Sequence, residues 1–438
     1  MKKILCAILA TAMLTALTGC GGSGNFSNTS DASDTSNGTS SYVTEDVNNS
    51  PDDTDSTLSE PAESSVEVKK TLEDEALYNA MVENSLMTLG DMTRMANVLK
   101  KAENGEEITV AYIGGSITEG LTVAPSKPEL CWAHLSYKWL CEQYPDTKIN
   151  FVNAGLSGTP SILGNVRLER DVLAFDPDIC FVEFAVNDGT EMKYKVAYDS
   201  LVRTLLTAEK DIAPVLLFTV IESGHSCQPH MSEIGNNYGL PMISEPDSLG
   251  VEFKEGRMTW ADYSDDQSHP HKRGHEIVCD FVTNYFEKVM AQIDENTGEV
   301  DKTLPDPKFS DRYMNVHFID SETLSPELVG FEEADAHSWF HNDWSYRGKE
   351  GASMKFTITC KSLQMVYKEN KSGMYAPADI YIDGEKTMTV SSNDKNGWDN
   401  PATAMLIDED ETAEHTVEIT VPAEKALVFY VLGFGYCD

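Results

Sequence analysis

The sequence predicts an α/β domain on a parallel sheet, followed by an all-β sandwich. Between residues 108 and 220, short β-branched and aromatic runs alternate with amphipathic stretches long enough to be helices. Parallel neighbours need such crossover connections, and the helices must then cover both faces of the sheet. Beyond residue 301 the helical period fades, and short runs of alternating polarity recur between turn signals, the pattern of a sandwich.

Taken in order, Leu72 to Lys101, with Leu77, Met81, Met87 and Met95 among its apolar positions, predicts a leading helix. Ile108–Ile113, Ile149–Val152, Ile179–Val186 and Val215–Val220 read as strands, and Cys131–Tyr144, Ile162–Phe175 and Val196–Lys210 as the helices between them. Ligands of open α/β sheets gather outside the carboxyl ends of the strands. Three of those ends are Gly114-Gly115-Ser116, the stretch Asn153 to Gly158, and Asn187-Asp188, and all three turns should open onto one rim. Residues 223 to 263 read as a long connection in which Tyr238 and Trp260 either pack or offer flat faces to a sugar ring.

In the C-terminal part, Pro305 and Pro307 mark a linker. Met354–Cys360, Val417–Val421 and Val428–Leu432 read as strands, and Asp383-Gly384 joins Ile380–Ile382 to Lys386–Val390 as a hairpin. Trp339, Trp344, Tyr346 and Trp398 either stack on sugars or fill the sandwich.

Composition narrows the function. A hydrophobic fraction of 41% over 438 residues is enough for a core. With 33 Lys and Arg against 72 Asp and Glu, the net charge of −39 repels phosphate backbones, so nucleic acid is not expected as a partner. Lys2 and Lys3 precede an apolar run from Ile4 to Leu17 that reads as a signal peptide. Leu17-Thr18-Gly19-Cys20 resembles a bacterial lipobox, which implies cleavage after residue 19 and a lipid anchor on Cys20, at the outer face of the cell membrane. Residues 20–70 are rich in Ser, Thr, Asn and Asp, with no Lys or Arg before Lys69, and read as a disordered acidic tether. Seven of the nine cysteines follow Cys20 without metal-ligand spacing, so buried thiols are expected. Cys131 and Cys141 could be bridged only if the helix between them were broken.

A serine nucleophile needs a base, an orienter for that base, and donors for an oxyanion. Ser116 follows a strand and two glycines, which allow a sharp turn. In Asp266-Gln-Ser-His269 a carboxylate three residues before a histidine can hold the imidazole in the tautomer that accepts from Ser116. Asp262 and Asp265 compete for that place, and the spacing favours Asp266. The N–H groups of Ser116 and Gly158 and the Asn187 amide stand where oxyanion donors are wanted. His269, His271 and His275 do not by spacing alone make a metal site, and none is expected. Arg167 and Arg170 read as surface salt-bridge residues.

Together, Gly114-Gly-Ser116-Ile-Thr118, Asn153-Ala-Gly-Leu-Ser-Gly158, Val186-Asn187-Asp188 and Asp266-Gln-Ser-His269-Pro resemble the SGNH (GDSL-type) hydrolase superfamily, in its carbohydrate-esterase-like subgroup. The resemblance implies a three-layer α/β/α sandwich over residues 71–300 and no cofactor. It also implies Ser116, Asp266 and His269 as catalytic residues and Ser116, Gly158 and Asn187 as the oxyanion hole. Residues 301–438 are similar to the jelly-roll-like accessory domains of such esterases. One departure stands out. Gly115 replaces the family's usual Asp, so the ordering of the nucleophile turn must come from elsewhere, with Thr118 and Glu119 as candidates. The function this implies is removal of acetyl or other short acyl groups from a plant-type polysaccharide or oligosaccharide. The alternatives are a broad short-chain esterase or lysophospholipase, and an inactive glycan-binding lipoprotein.

Overall fold

The computed structural model describes residues 69–123, 126–423 and 427–438. The expected signal peptide, the Cys20 anchor and nearly all of the expected tether lie outside them. Strands β1 (Leu86–Thr88), β2 (Ile108–Gly114), β3 (Ile149–Gly155), β4 (Ile179–Glu183), β5 (Ala213–Phe218) and β6 (Met242–Ser244) form one sheet in the order β1-β6-β5-β4-β2-β3. β2 to β6 run parallel, and β1 joins β6 antiparallel. β2, β4 and β5 are buried along their whole length, as expected for strands covered on both faces.

Side chains alternate across each strand, and the two faces meet different helices. Val110, Tyr112, Phe181, Val215 and Leu217 pack with the helices Thr93–Glu103, Trp132–Gln143 and Lys272–Met290. Ala111, Ile113, Cys180, Val182, Leu216 and Phe218 pack with Met192–Thr207 and Gln228–Tyr238, joined by Leu168 of Ser161–Asp171. The chain leaves β2 for β3 at the sheet edge and returns to β4 on the other side of β2. The carboxyl ends of β2 and β4 therefore flank a topological switch point, where open α/β sheets place their sites.

Two sequence expectations change here. The stretch Leu72 to Lys101 is a short 3-10 turn, a helix at Glu75–Asn84, strand β1, and a helix at Thr93–Glu103. The break follows from tertiary pairing. Leu86–Thr88 pairs with β6, and Gly90, at φ +57°, lies so close to the backbone of Gly239–Pro241 that a β-carbon would overlap it. The Asp91 carboxylate then accepts the Thr93 N–H and opens the next helix. Likewise, residues 223 to 263 are no long loop but hold Gln228–Tyr238, β6 and Leu249–Lys254. β6 has three residues, too few to show a period in sequence.

The remaining strands are β7 (His317–Ile319), β8 (Glu327–Val329), β9 (Phe331–Ala334), β10 (Asp343–Gly348), β11 (Ala352–Asn370), β12 (Pro377–Ile382), β13 (Glu385–Ser391), β14 (Trp398–Val421) and β15 (Leu427–Cys437). They pair antiparallel in the order β13-β12-β14-β11-β15-β10-β9, with β7 on β15 and β8 on β11. The long strands β11 and β14 change register at Cys360–Ser362 and Leu363–Gln364. Such irregularities bend a strand, and residues on both sides of them enter one core with Trp344, Tyr346 and Phe434. Asp383 and Gly384, both at positive φ, make the β12–β13 turn, as a two-residue hairpin requires.

The two domains share a core of Leu163, Val166, Tyr313, Phe340, Tyr430 and Leu432. Arg170 stacks on Phe318 and Phe340 across this junction, 5.3 and 4.8 Å from the ring centres. It is thus a junction residue as well as an ion-pair partner of Asp171. The seven described cysteines are free thiols, five of them buried, and the helix between Cys131 and Cys141 is unbroken.

Candidate active site

β2 ends at Gly114, Gly115 follows, and Ser116 opens a one-turn helix, Ser116–Glu119, closed by Gly120 at φ +83°. The first two glycines serve close approach. A β-carbon on Gly114 would overlap Thr118 Oγ1 and the Glu183 carbonyl, and one on Gly115 would overlap the Asn187 amide. The Ser116 hydroxyl lies 2.9 Å from His269 Nε2, and His269 Nδ1 lies 2.8 Å from Asp266 Oδ2. Asp266 Oδ1 accepts the N–H groups of Ser268 and His269, each at 2.7 Å. Burial opposes ionisation of Asp266, but the Ser268 N–H, the His269 ring and the His269 N–H together hold its pKa below the ordinary value. The charged carboxylate accepts a hydrogen bond from Nδ1–H, which leaves Nε2 to accept from Ser116.

The Ser264–Pro270 bridge closes the loop that carries this pair, and Ser264 Oγ donates to the His269 carbonyl. The competing carboxylates sit elsewhere. Asp262 forms a capping box with Thr259, and Asp265 is exposed. His271 caps the helix Lys272–Met290 by accepting the Gly274 N–H. His275 is buried, which pushes its pKa down to about 3, and its Nδ1 accepts the Trp132 N–H. Among the described residues, no group of three or more His, Cys, Asp or Glu is arranged to hold a metal ion.

A network beneath the rim ties the strand ends together. Glu119 accepts the N–H and hydroxyl of Ser157, which links the Ser116 helix to the Gly158 turn. Asn153 donates to the Thr118 carbonyl and accepts the Gly155 N–H. Thr118 donates to Glu183 at 2.9 Å. Thr118 and Glu119 thus both order the turn in which Gly115 carries no side chain. Arg167 is no surface residue. It is fully buried, beside Asp171, and donates to the carbonyls of Gly114 and Ala154 at the ends of β2 and β3. Asp188 accepts the N–H and hydroxyl of Ser161, and burial lifts its pKa to about 7. On the far side, buried Glu245 accepts the Val220 N–H and the Tyr263 hydroxyl, both at 2.9 Å.

Ser116, Gly158, Asn187 and His269 line one cavity of about 490 Å³, whose walls are largely Ile117, Leu121, Val186, Ile221 and Trp398. Gly158 stands at φ +69°, and a β-carbon there would overlap the Trp398 ring. Asn187 Oδ1 is buried without a partner, which leaves the amide nitrogen as the end of this side chain available to the cavity. Trp398 belongs to β14 of the second domain and is 54% exposed.

Trp260 and Tyr238 do not reach this cavity. Trp260 packs on Phe253 and Tyr263, and Tyr238 donates to Asp199. Trp344 and Tyr346 fill the sandwich, and Trp339 lines a separate cavity beside β3. Sequence reasoning had no basis for ranking Trp398 above the other aromatics, and it passed over Glu183. A single glutamate inside the apolar run Ile179–Val186 was the available signal.

Residues 112–277 match the GDSL-like Lipase/Acylhydrolase family. The chain is similar in structure to a two-domain esterase active on acetylated mannans, at 25% identity and a TM-score of 0.75, over 82% of this chain and 99% of that one. The same esterase co-crystallised with mannopentaose matches at 25% identity and a TM-score of 0.73, over 82% and 98% of the two chains. No curated protein sequence matches. The family match over residues 112–277 and the likeness to the two-domain esterase make this chain a carboxylic ester hydrolase, with an α/β domain and a C-terminal antiparallel β domain.

Proposed function

We propose that this hydrolase removes acetyl or other short acyl groups from a carbohydrate through an acyl-serine intermediate. The observation that carries the mechanism is the hydrogen-bonded chain from Ser116 Oγ through the His269 ring to Asp266, with Ser116 and His269 lining one cavity. Ser116 Oγ attacks the ester carbonyl carbon and passes its proton to His269 Nε2. The Ser116 and Gly158 N–H groups and the Asn187 amide receive the oxyanion. His269 then protonates the departing sugar hydroxyl. Water repeats the sequence on the acyl-serine and frees the acid.

Two things support a carbohydrate as the alcohol. The second domain lays an exposed tryptophan against the Gly158 turn, a flat apolar face of the kind that packs on sugar rings. The two-domain relative acts on acetylated mannans. The apolar walls near Ser116 suit a short acyl group. With the sequence expectation of a lipid anchor on Cys20, the substrate would be a polymer or oligomer met outside the cell.

The test is hydrolysis of p-nitrophenyl acetate by the full chain and by Ser116→Ala, with acetate release measured on acetylated mannan, xylan and pectin. We expect the alanine variant to lose several orders of magnitude in kcat, and His269→Ala combined with it to lose little more. Equal rates for the wild type and Ser116→Ala would end the acyl-serine reading.

A further inference from the structure

We propose that Glu183 is a positioning residue for Ser116, holding the nucleophile turn through Thr118 from beneath the rim. The inference rests on the assignment of Ser116 as nucleophile. Glu183 is the last residue of β4 and is fully buried. One carboxyl oxygen accepts the Thr118 hydroxyl at 2.9 Å, and the other accepts the Thr219 hydroxyl at 2.7 Å. The Gly115 and Thr118 N–H groups also face it. One side chain thus spans the turn that carries Ser116 and the end of β5, two residues before Ile221 of the cavity wall.

A role in stability alone fits this site poorly. Burying a carboxyl is costly unless its partners compensate, and an apolar side chain of similar volume often serves stability as well or better. The partners here are hydroxyls and N–H groups rather than a cation. Burial pushes the pKa of Glu183 up, while these donors pull it back. Of its two hydrogen bonds, one holds the Ser116 turn through Thr118 and the other fixes the carboxyl to Thr219 just past β5, so the side chain ties that turn to the neighbouring strand end. It also explains how the turn is ordered when Gly115 offers no side chain.

The test compares Glu183→Met, which keeps the volume and removes both acceptors, with Glu183→Gln, which keeps one oxygen and lets a threonine hydroxyl reverse to accept from the amide. Kinetics on p-nitrophenyl acetate are paired with the rate at which a fluorophosphonate traps Ser116, in the full chain. We expect Glu183→Met to lower kcat and the trapping rate together, by about tenfold to a hundredfold, with KM within about twofold of the wild type. Glu183→Gln should recover most of both. Thr118→Val should reproduce the loss and Thr118→Ser reverse it, which decides the matter even where the Met variant does not fold. Wild-type kcat in Glu183→Met or Thr118→Val, or a loss confined to KM, overturns the inference. A wild-type protein that neither turns over the ester nor is trapped at Ser116 overturns the nucleophile assignment instead.

Discussion

The side-chain amide of Asn187 occupies the space that a β-carbon on Gly115 would need. The two positions are therefore matched: the residue before Ser116 has no side chain, and the Asn187 amide, from the loop after β4, moves in beside Ser116. A side chain introduced by Gly115→Asp should force Asn187 away from the cavity. We expect kcat on p-nitrophenyl acetate to fall by about 10² to 10³, the size of effect seen when one oxyanion donor is lost, with little change in KM. A Gly115→Asp variant as fast as the wild type would show that Asn187 is not needed where it stands.

Trp398 is the contribution of the second domain to the cavity. Trp398→Ala should lower kcat/KM on acetylated oligosaccharides by about three- to tenfold, the range expected for one aromatic face. It should leave p-nitrophenyl acetate nearly unaffected, because that ester has no sugar to stack. Parallel kinetics on the two substrates check this, and equal losses on both would count against sugar stacking.

The buried Glu245 carboxyl links stability to pH. Burial raises its pKa to about 8 from an ordinary 4.5, and a protonated carboxyl keeps both hydrogen bonds, since the Tyr263 hydroxyl can reverse to accept. Between those values the native state holds a proton that the unfolded chain has released. Stability therefore falls as pH rises through this window, by at most about 1.4 kcal/mol per pH unit. Glu245→Gln mimics the neutral form. In urea titrations it should gain on the wild type between about pH 5 and about pH 8, and a constant difference would contradict the shift.

Arg167 satisfies two carbonyls at the ends of β2 and β3 from a fully buried position. Arg167→Met should leave both acceptors and Asp171 without it and cost about 3 to 5 kcal/mol of stability, as breaking a buried ion pair does. Denaturant unfolding measures this directly. A surface salt bridge would instead cost about 1 kcal/mol or less.

Anchoring through Cys20 can be checked on cells. Cys20→Ser should shift the protein from the membrane fraction to the medium without changing its specific activity. Unchanged membrane retention would remove the lipid-anchor assignment.

Strand and helix alternation, the Ser116 turn and the Asp266–His269 spacing were all readable in the chain, because each depends on neighbours within a few residues. A hydrophobic period reports burial on one element, and a carboxylate three residues from a histidine can meet it inside a single loop. What lay beyond reach was set by partners distant in sequence. Leu86–Thr88 becomes a strand because β6 lies beside it. Arg167 is buried because the ends of β2 and β3 converge above its helix, and Trp398 reaches the Gly158 turn because the sandwich docks on the catalytic domain. Glu183 and Glu245 could be seen as acidic but not as braces, since their roles exist only where separate strand ends come together. The sequence by itself determined the fold class and the order of its parts, and it named Ser116, Asp266 and His269 as the candidates that the fold brings within hydrogen-bond reach. Only the tertiary structure decided which aromatic faces the cavity and which buried polar groups hold the site in shape, because packing between remote segments selects among chemically equivalent residues.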